Sequence, residues 1–193
     1  EIALDLRIDD VQVVNVYNST IQPGSIGIKG GRIVTPYADG YQSDQVLDGG
    51  GKFALPGFID THVHLDSTLV IPEYLSQLLL PRGTTVMLAD PMEIANVAGL
   101  KGFKALLASM DQLDYHIFLE VSSRVPTAPG LETTGGELDL EDVKEILAWP
   151  QAVSLGELDP SKVLEMREEY LLKIDAAQRL GKICNGHAVG RVG

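Results

Sequence analysis

Cysteine is almost missing from this chain: Cys184 is the single one in 193 residues. An internal disulfide and every multi-cysteine zinc motif are therefore excluded. Basic residues are scarce too, 15 Lys and Arg against 27 Asp and Glu, for a net charge of −12. Phosphate backbones and anionic bilayers are bound by basic faces, so nucleic-acid and membrane partners are not expected. No apolar run approaches the about 20 residues of a bilayer span. The acidic start, Glu1-Ile2-Ala3-Leu4-Asp5, shows no secretory apolar stretch. Also absent are a Gly-x-x-x-x-Gly-Lys-Ser/Thr loop, a Gly-x-Ser-x-Gly elbow and a dinucleotide fingerprint. What is present, 45% hydrophobic against 22% charged residues, is the composition of a globular chain. The expectation is a soluble, cytoplasmic, acidic protein of one domain, or of one domain plus a small appendage.

Two kinds of pattern divide the sequence. Residues 1–57 read as a small β-module of short strands and tight turns. Gly30-Gly31, between Ser25–Lys29 and Arg32–Thr35, marks a hairpin, and Gly49-Gly50-Gly51 reads as a second. Residues 58–193 read as strand, loop, helix, repeated. Strands are expected at 58–65, 84–90, 116–123, 152–158 and 182–188. Helices are expected from Pro72 to Leu80, Glu93 to Leu113, Asp139 to Ala148, and from an Asp159-Pro160 start to Gly181. In the last, Val163, Met166, Tyr170, Ile174 and Ala177 form one apolar face. The strands begin about 31 residues apart, and eight such units fill the about 250 residues of a (β/α)8 barrel. Five strands fit either a complete open sheet or the first part of such a barrel, and spacing alone leaves both open.

Chemistry concentrates at strand ends. In Phe58-Ile59-Asp60-Thr61-His62-Val63-His64-Leu65, strand periodicity puts Asp60, His62 and His64 on one face. A buried parallel strand is ordinarily apolar on both faces, so two imidazoles in a row point to a metal. Three further strands end on polar groups, Asp90, Glu157 and His187, at the edge where α/β folds place active sites. His116 begins a strand at the opposite end and is given no role. Cys184 and Trp149 read as packing, and the acidic runs around Glu137–Asp142 and Glu165–Glu169 as solvated helix faces.

The stretch Leu55-Pro56-Gly57-Phe58-Ile59-Asp60-Thr61-His62-Val63-His64 resembles the first-strand signature of the amidohydrolase superfamily. Within it, the closer resemblance is to the adenine deaminases. It runs through Arg82-Gly83-Thr84-Thr85-Val86, Asp90-Pro91-Met92-Glu93-Ile94-Ala95-Asn96-Val97, Val121-Ser122-Ser123-Arg124-Val125-Pro126, Gly156-Glu157 and Asn185-Gly186-His187-Ala188. The resemblance implies an α/β chain forming about five of the eight units of a (β/α)8 TIM-type barrel, preceded by a small β-sandwich module. It implies a cytoplasmic hydrolase of purine metabolism, acting on C–N bonds other than peptide bonds and deaminating adenine, with a small-molecule purine as partner and a homo-oligomer among its expected assemblies. It implies two divalent ions, manganese, iron or zinc: His62 and His64 on one, Glu157 bridging, His187 on the other. Asp60, Asp66, Asp90, Met92, Glu93, Ser123 and Arg124 would line or support the pocket. A further histidine and a catalytic aspartate are expected beyond residue 193, so the chain is expected to be an inactive fragment. Met92 stands where histidine is usual, Arg124 for cysteine, Asp66 for glutamate and Asp159 for an apolar residue; Met92 is expected to be an apolar pocket wall. These departures leave open another cyclic amidine or amide hydrolase, or a non-catalytic metal- or purine-binding relative.

Overall fold

A computed structural model describes residues 3–110, 113–133 and 135–188. It divides into two units, Glu1–Pro56 and Gly57–Gly193.

The first unit is a four-stranded sheet: β1 (Leu4–Asn15), β2 (Thr20–Lys29), β3 (Arg32–Thr35) and β4 (Ser43–Ala54), in the order β3-β2-β1-β4. Of the expected sandwich, this is the one sheet among the described residues. Gly30 and Gly31, at φ 58° and 70°, make the expected hairpin between antiparallel β2 and β3. The second hairpin is not formed. β4 runs straight through Gly49-Gly50-Gly51 and pairs parallel with β1, whose register shifts between Asp9 and Val11. The glycines serve a bulge. A Cβ on Gly49 would lie 2.3 Å from Val11 Cγ1 and 2.9 Å from the Asp10 carbonyl oxygen.

The second unit carries five parallel strands, β5 (Phe58–Val63), β6 (Thr84–Ala89), β7 (His116–Ser122), β8 (Ala152–Leu158) and β9 (Ile183–Gly186). Their order is β5-β6-β7-β8-β9, each strand beside its sequence neighbour. A doubly wound open sheet reverses order at a switch point, whereas a barrel adds strands in sequence. The order decides for the curled sheet of a partial barrel.

Among the described residues, five α-helices connect the strands: α1 (Pro72–Leu79), α2 (Met92–Ser109), α3 (Leu140–Leu147), α4 (Pro160–Leu164) and α5 (Glu168–Arg179). The expected end of α2 at Leu113 adjoins Asp111 and Gln112, outside the described residues; the helix kinks at Gly99 (φ 56°). α3 starts with a capping box in which Asp139 accepts from the Asp142 N–H and Asp142 from the Asp139 N–H. The helix expected from Asp159 to Gly181 is broken in two. Met166 takes φ 55° and is 68% exposed instead of joining the apolar face, so the chain turns before α5.

β7 shows how the layers separate. Leu119 and Val121 join Phe103 of α2, Val143, Ile146 and Leu147 of α3, and Ala177 of α5 in a buried core. A large side chain so placed contributes about 1.5–3 kcal/mol. The alternate residues, Glu120 and Ser122, are buried on the opposite face of the strand. A second core gathers Leu65, Leu75, Met87, Leu106, Tyr115 and Ile117. No helix among the described residues is long and apolar enough to cross a membrane.

One buried charge organises the long β7–α3 connection. Lys173 of α5 is fully buried, and its Nζ donates to the carbonyls of Ser123 (3.0 Å) and Leu138 (3.3 Å) and to Glu169 Oε1 (2.9 Å). The Leu138 N–H donates to the Val125 carbonyl at 3.0 Å, closing the loop at its base. Lys173→Met leaves two buried carbonyls without that donor. It is expected to destabilise the full-length protein by about 2 kcal/mol or more, read as a lower urea midpoint. Tyr115, buried and donating to the Pro72 carbonyl at 3.1 Å, has its phenol pushed up to about 12 by burial and by nearby Glu73. With the folded value above the ordinary value of about 10, its contribution to stability is complete below pH about 10 and lost on rising to about 12. Alkaline absorbance titration should show one late phenol, absent in Tyr115→Phe.

Candidate metal centre

The C-terminal ends of β5, β7, β8 and β9 bring titratable groups around one carboxylate. Glu157, near the end of β8, is 2% exposed and sits at φ 54°, a left-handed conformation uncommon outside glycine. β8 and β9 shift register between Leu155 and Leu158, so the strand bulges where Glu157 sits. Such a backbone costs about 1–3 kcal/mol and persists where the surroundings over-determine it.

His62 Nε2 lies 3.0 Å and His64 Nε2 3.4 Å from Glu157 Oε1. The two rings meet edge to face at 5.1 Å between centroids. On its other side Glu157 Oε2 accepts from Arg124 Nη2, and His187 Nε2 stands 2.9 Å from Oε2 and 3.1 Å from Oε1. The ligand atoms of His62, His64 and Glu157 lie within 4.8 Å of one another.

The far nitrogens of the first two rings are already committed. His64 Nδ1 faces the Asp90 carbonyl oxygen at 3.0 Å, and a carbonyl only accepts, so Nδ1 carries the proton. His62 Nδ1 faces Glu120 Oε2 at 2.5 Å. Glu120 is fully buried and also accepts from Ser154 Oγ (3.1 Å) and Asn185 Nδ2. In the neutral rings both Nε2 atoms are then lone pairs aimed at a carboxylate oxygen. Acceptor faces acceptor, and the gap needs a cation. Imidazole nitrogens fixed by outer carboxylate and carbonyl partners are the usual arrangement around a bound metal, so the donor set fits one.

The electrostatics agree. Burial opposes protonation of His62, but Glu120, with Glu157 and Asp90, raises its pKa. Burial would raise the pKa of Glu157, yet Arg124, helped by His187 and His64, holds it below the ordinary carboxylate value. Asp90 is fully buried and pushed up to about 7, by burial first, despite a hydrogen bond from Ser122 Oγ.

A profile of the amidohydrolase family matches residues 53–192. The chain belongs to the amidohydrolase family. Among curated relatives, it is 54% identical to an adenine deaminase of Desulforamulus reducens over 96% of this chain and 32% of that protein. It is 38% identical to adenine deaminase 3 of Rhizobium meliloti over 95% of this chain and 32% of that one. The chain thus spans about a third of the length of these relatives. Among solved structures, an adenine deaminase superposes with a TM-score of 0.66 at 17% identity, over 96% of this chain and 51% of that one. A D-aminoacylase variant in complex with copper chloride gives 0.67 at 18%, over 95% and 45%. At these identities the superpositions speak for the fold alone.

The remaining candidates fall around this family's strand ends unevenly. Ser123 is buried behind the site, its N–H donating to the Gly156 carbonyl at 3.2 Å. Glu93 Oε2 stands 3.6 Å from His64 Nδ1. Asp66 accepts from the Ile94 N–H at 2.7 Å, and burial, with Glu93 beside it, lifts it to about 6. Asp60 is exposed and accepts from the backbone N–H of His62 at 3.3 Å; no described contact joins it to Glu157. Met92 packs against the larger core, its sulfur 3.5 Å from Thr127 Oγ1, with no described contact to the histidines. Glu120 was not singled out from the sequence. Its signal was alternation: a carboxylate between Leu119 and Val121 in a strand otherwise bound for the interior.

Glu120→Gln removes one acceptor oxygen and sets an amide N–H among donors. It is expected to weaken divalent-metal binding by about 10–100-fold, measured by competition with a chromogenic chelator, while α-helical circular dichroism stays unchanged.

Proposed function

We propose that the full-length protein is a metal-dependent aminohydrolase that converts adenine and water into hypoxanthine and ammonia. The observation that carries this reading is the pair of histidine lone pairs, on His62 and His64, fixed against Glu157 Oε1 across a gap that needs a cation. The adenine deaminases it resembles supply the substrate. His62, His64 and Glu157 would hold the ion, with His187 beside Glu157.

A divalent ion held there supplies Lewis acidity, making water a better nucleophile at neutral pH and offsetting charge that develops on the purine ring. The chain's own residues do the positioning. Glu120 fixes the His62 tautomer through Nδ1, and the Asp90 carbonyl does the same for His64. The bulge at Glu157 aims its carboxylate between the rings. In the overall exchange a C6–O bond forms, the C6–N bond breaks, and the amino group leaves as ammonia. Manganese, iron and zinc all suit two imidazoles and a carboxylate. Asp66, Glu93, Ser123 and Arg124 stand as the pocket's supports, residues 58–193 as its barrel portion and 1–57 as a separate β-module. A cytoplasmic setting in purine metabolism accords with the acidic composition and lone cysteine.

The test is hypoxanthine and ammonia release from adenine by metal-loaded full-length protein. Turnover should disappear on chelation and return with manganese or zinc. His64→Ala and Glu157→Gln should each lose at least about 100-fold in kcat/KM, roughly 2.7 kcal/mol of transition-state stabilisation. A metal-loaded protein inert towards adenine but active on another cyclic amidine or amide would overturn the substrate; one inert towards all of them would overturn the enzyme.

A further inference from the structure

We infer that this site holds one divalent ion rather than two, with the Arg124 guanidinium as the fixed second cation on Glu157. The inference rests on reading His62, His64 and Glu157 as a metal site. The two oxygens of Glu157 are served differently. Oε1 faces the lone pairs of His62 and His64, at 3.0 and 3.4 Å, and those contacts lack a cation. Oε2 is already satisfied: Arg124 Nη2 donates to it, and His187 Nε2 lies 2.9 Å from it, nearer than its 3.1 Å to Oε1. A carboxylate oxygen offers two acceptor positions, and these two nitrogens take both. No described partner fixes His187 Nδ1, so nothing prevents the neutral His187 ring from donating through Nε2.

A second ion would need Oε2 at about 2.0–2.2 Å, on the side where a permanently charged guanidinium already lies. Arg124 is also held in place. The carbonyl of its neighbour Ser123 accepts from the buried Lys173, so the chain cannot easily withdraw the guanidinium.

The test is metal stoichiometry in full-length protein saturated with manganese(II) and freed of excess ion. Elemental analysis should find one ion per chain, and electron paramagnetic resonance a hyperfine sextet without exchange coupling. Arg124→Ser should raise the count to two and bring in a coupled spectrum; adding His187→Ala should return it to one. Arg124→Lys, which keeps the charge, should stay at one. Two tightly held, coupled ions in the wild-type protein would overturn the inference while leaving the metal site standing, as would an unchanged count in folded Arg124→Ser. No bound ion at all in the wild type would overturn the metal site itself, and the inference with it.

Discussion

A carboxylate taken out of water has to be met by donors or by positive charge, and in this molecule that constraint falls hardest on Glu157. Arg124, the His62–His64 pair and His187 come from three different segments, and all four side chains are directed at its two oxygens. Much of the surrounding structure follows from that convergence. The left-handed backbone at Glu157 turns the side chain inward, the shifted β8–β9 register makes room for it, and Lys173 tethers the segment from which Arg124 reaches it.

Behind the first ring of contacts stands a second ring that sets which nitrogen carries which proton. Glu120, held by Ser154 and Asn185 from the two following strands, and the Asp90 carbonyl leave both Nε2 atoms without hydrogens when the rings are neutral. An imidazole that could take either tautomer would be an indifferent ligand. Here the choice is made by residues in β7, β8 and β9 and by Asp90 just after β6, before any ion arrives.

Much of this was legible in the residues because strand periodicity and strand-end position are local properties. His62 and His64 announced themselves as paired imidazoles on one face of a strand, and Glu157 and His187 as polar groups at strand ends. Other features depended on partners distant in the chain. Gly49-Gly50-Gly51 carries the same local signal whether the chain reverses or merely bulges past a neighbour; β1 running parallel alongside decides for the bulge. The apolar spacing through Met166 is helical, yet positive φ there ends α4. Asp60 shares its period with His62 only while the strand is regular, and β5 and β6 lose register between Asp60 and Val63. Glu120 was visible as a break in alternation, but the weight of a buried carboxylate emerges only once three partners surround it.

The sequential strand order has a consequence for synthesis. From β6 to β9, each strand pairs with the one made just before it, so this sheet can grow in the direction in which the ribosome delivers it, without waiting for a distant segment. The charge balance cannot grow that way. When β7 emerges, Glu120 can meet His62 but not yet Ser154 or Asn185, and Arg124 has no Glu157 to hold. A nascent chain paused between β7 and β8 therefore carries an unmatched guanidinium and a half-solvated carboxylate at its growing edge. That edge stays polar until the strand that consumes it appears, which discourages pairing with another nascent chain.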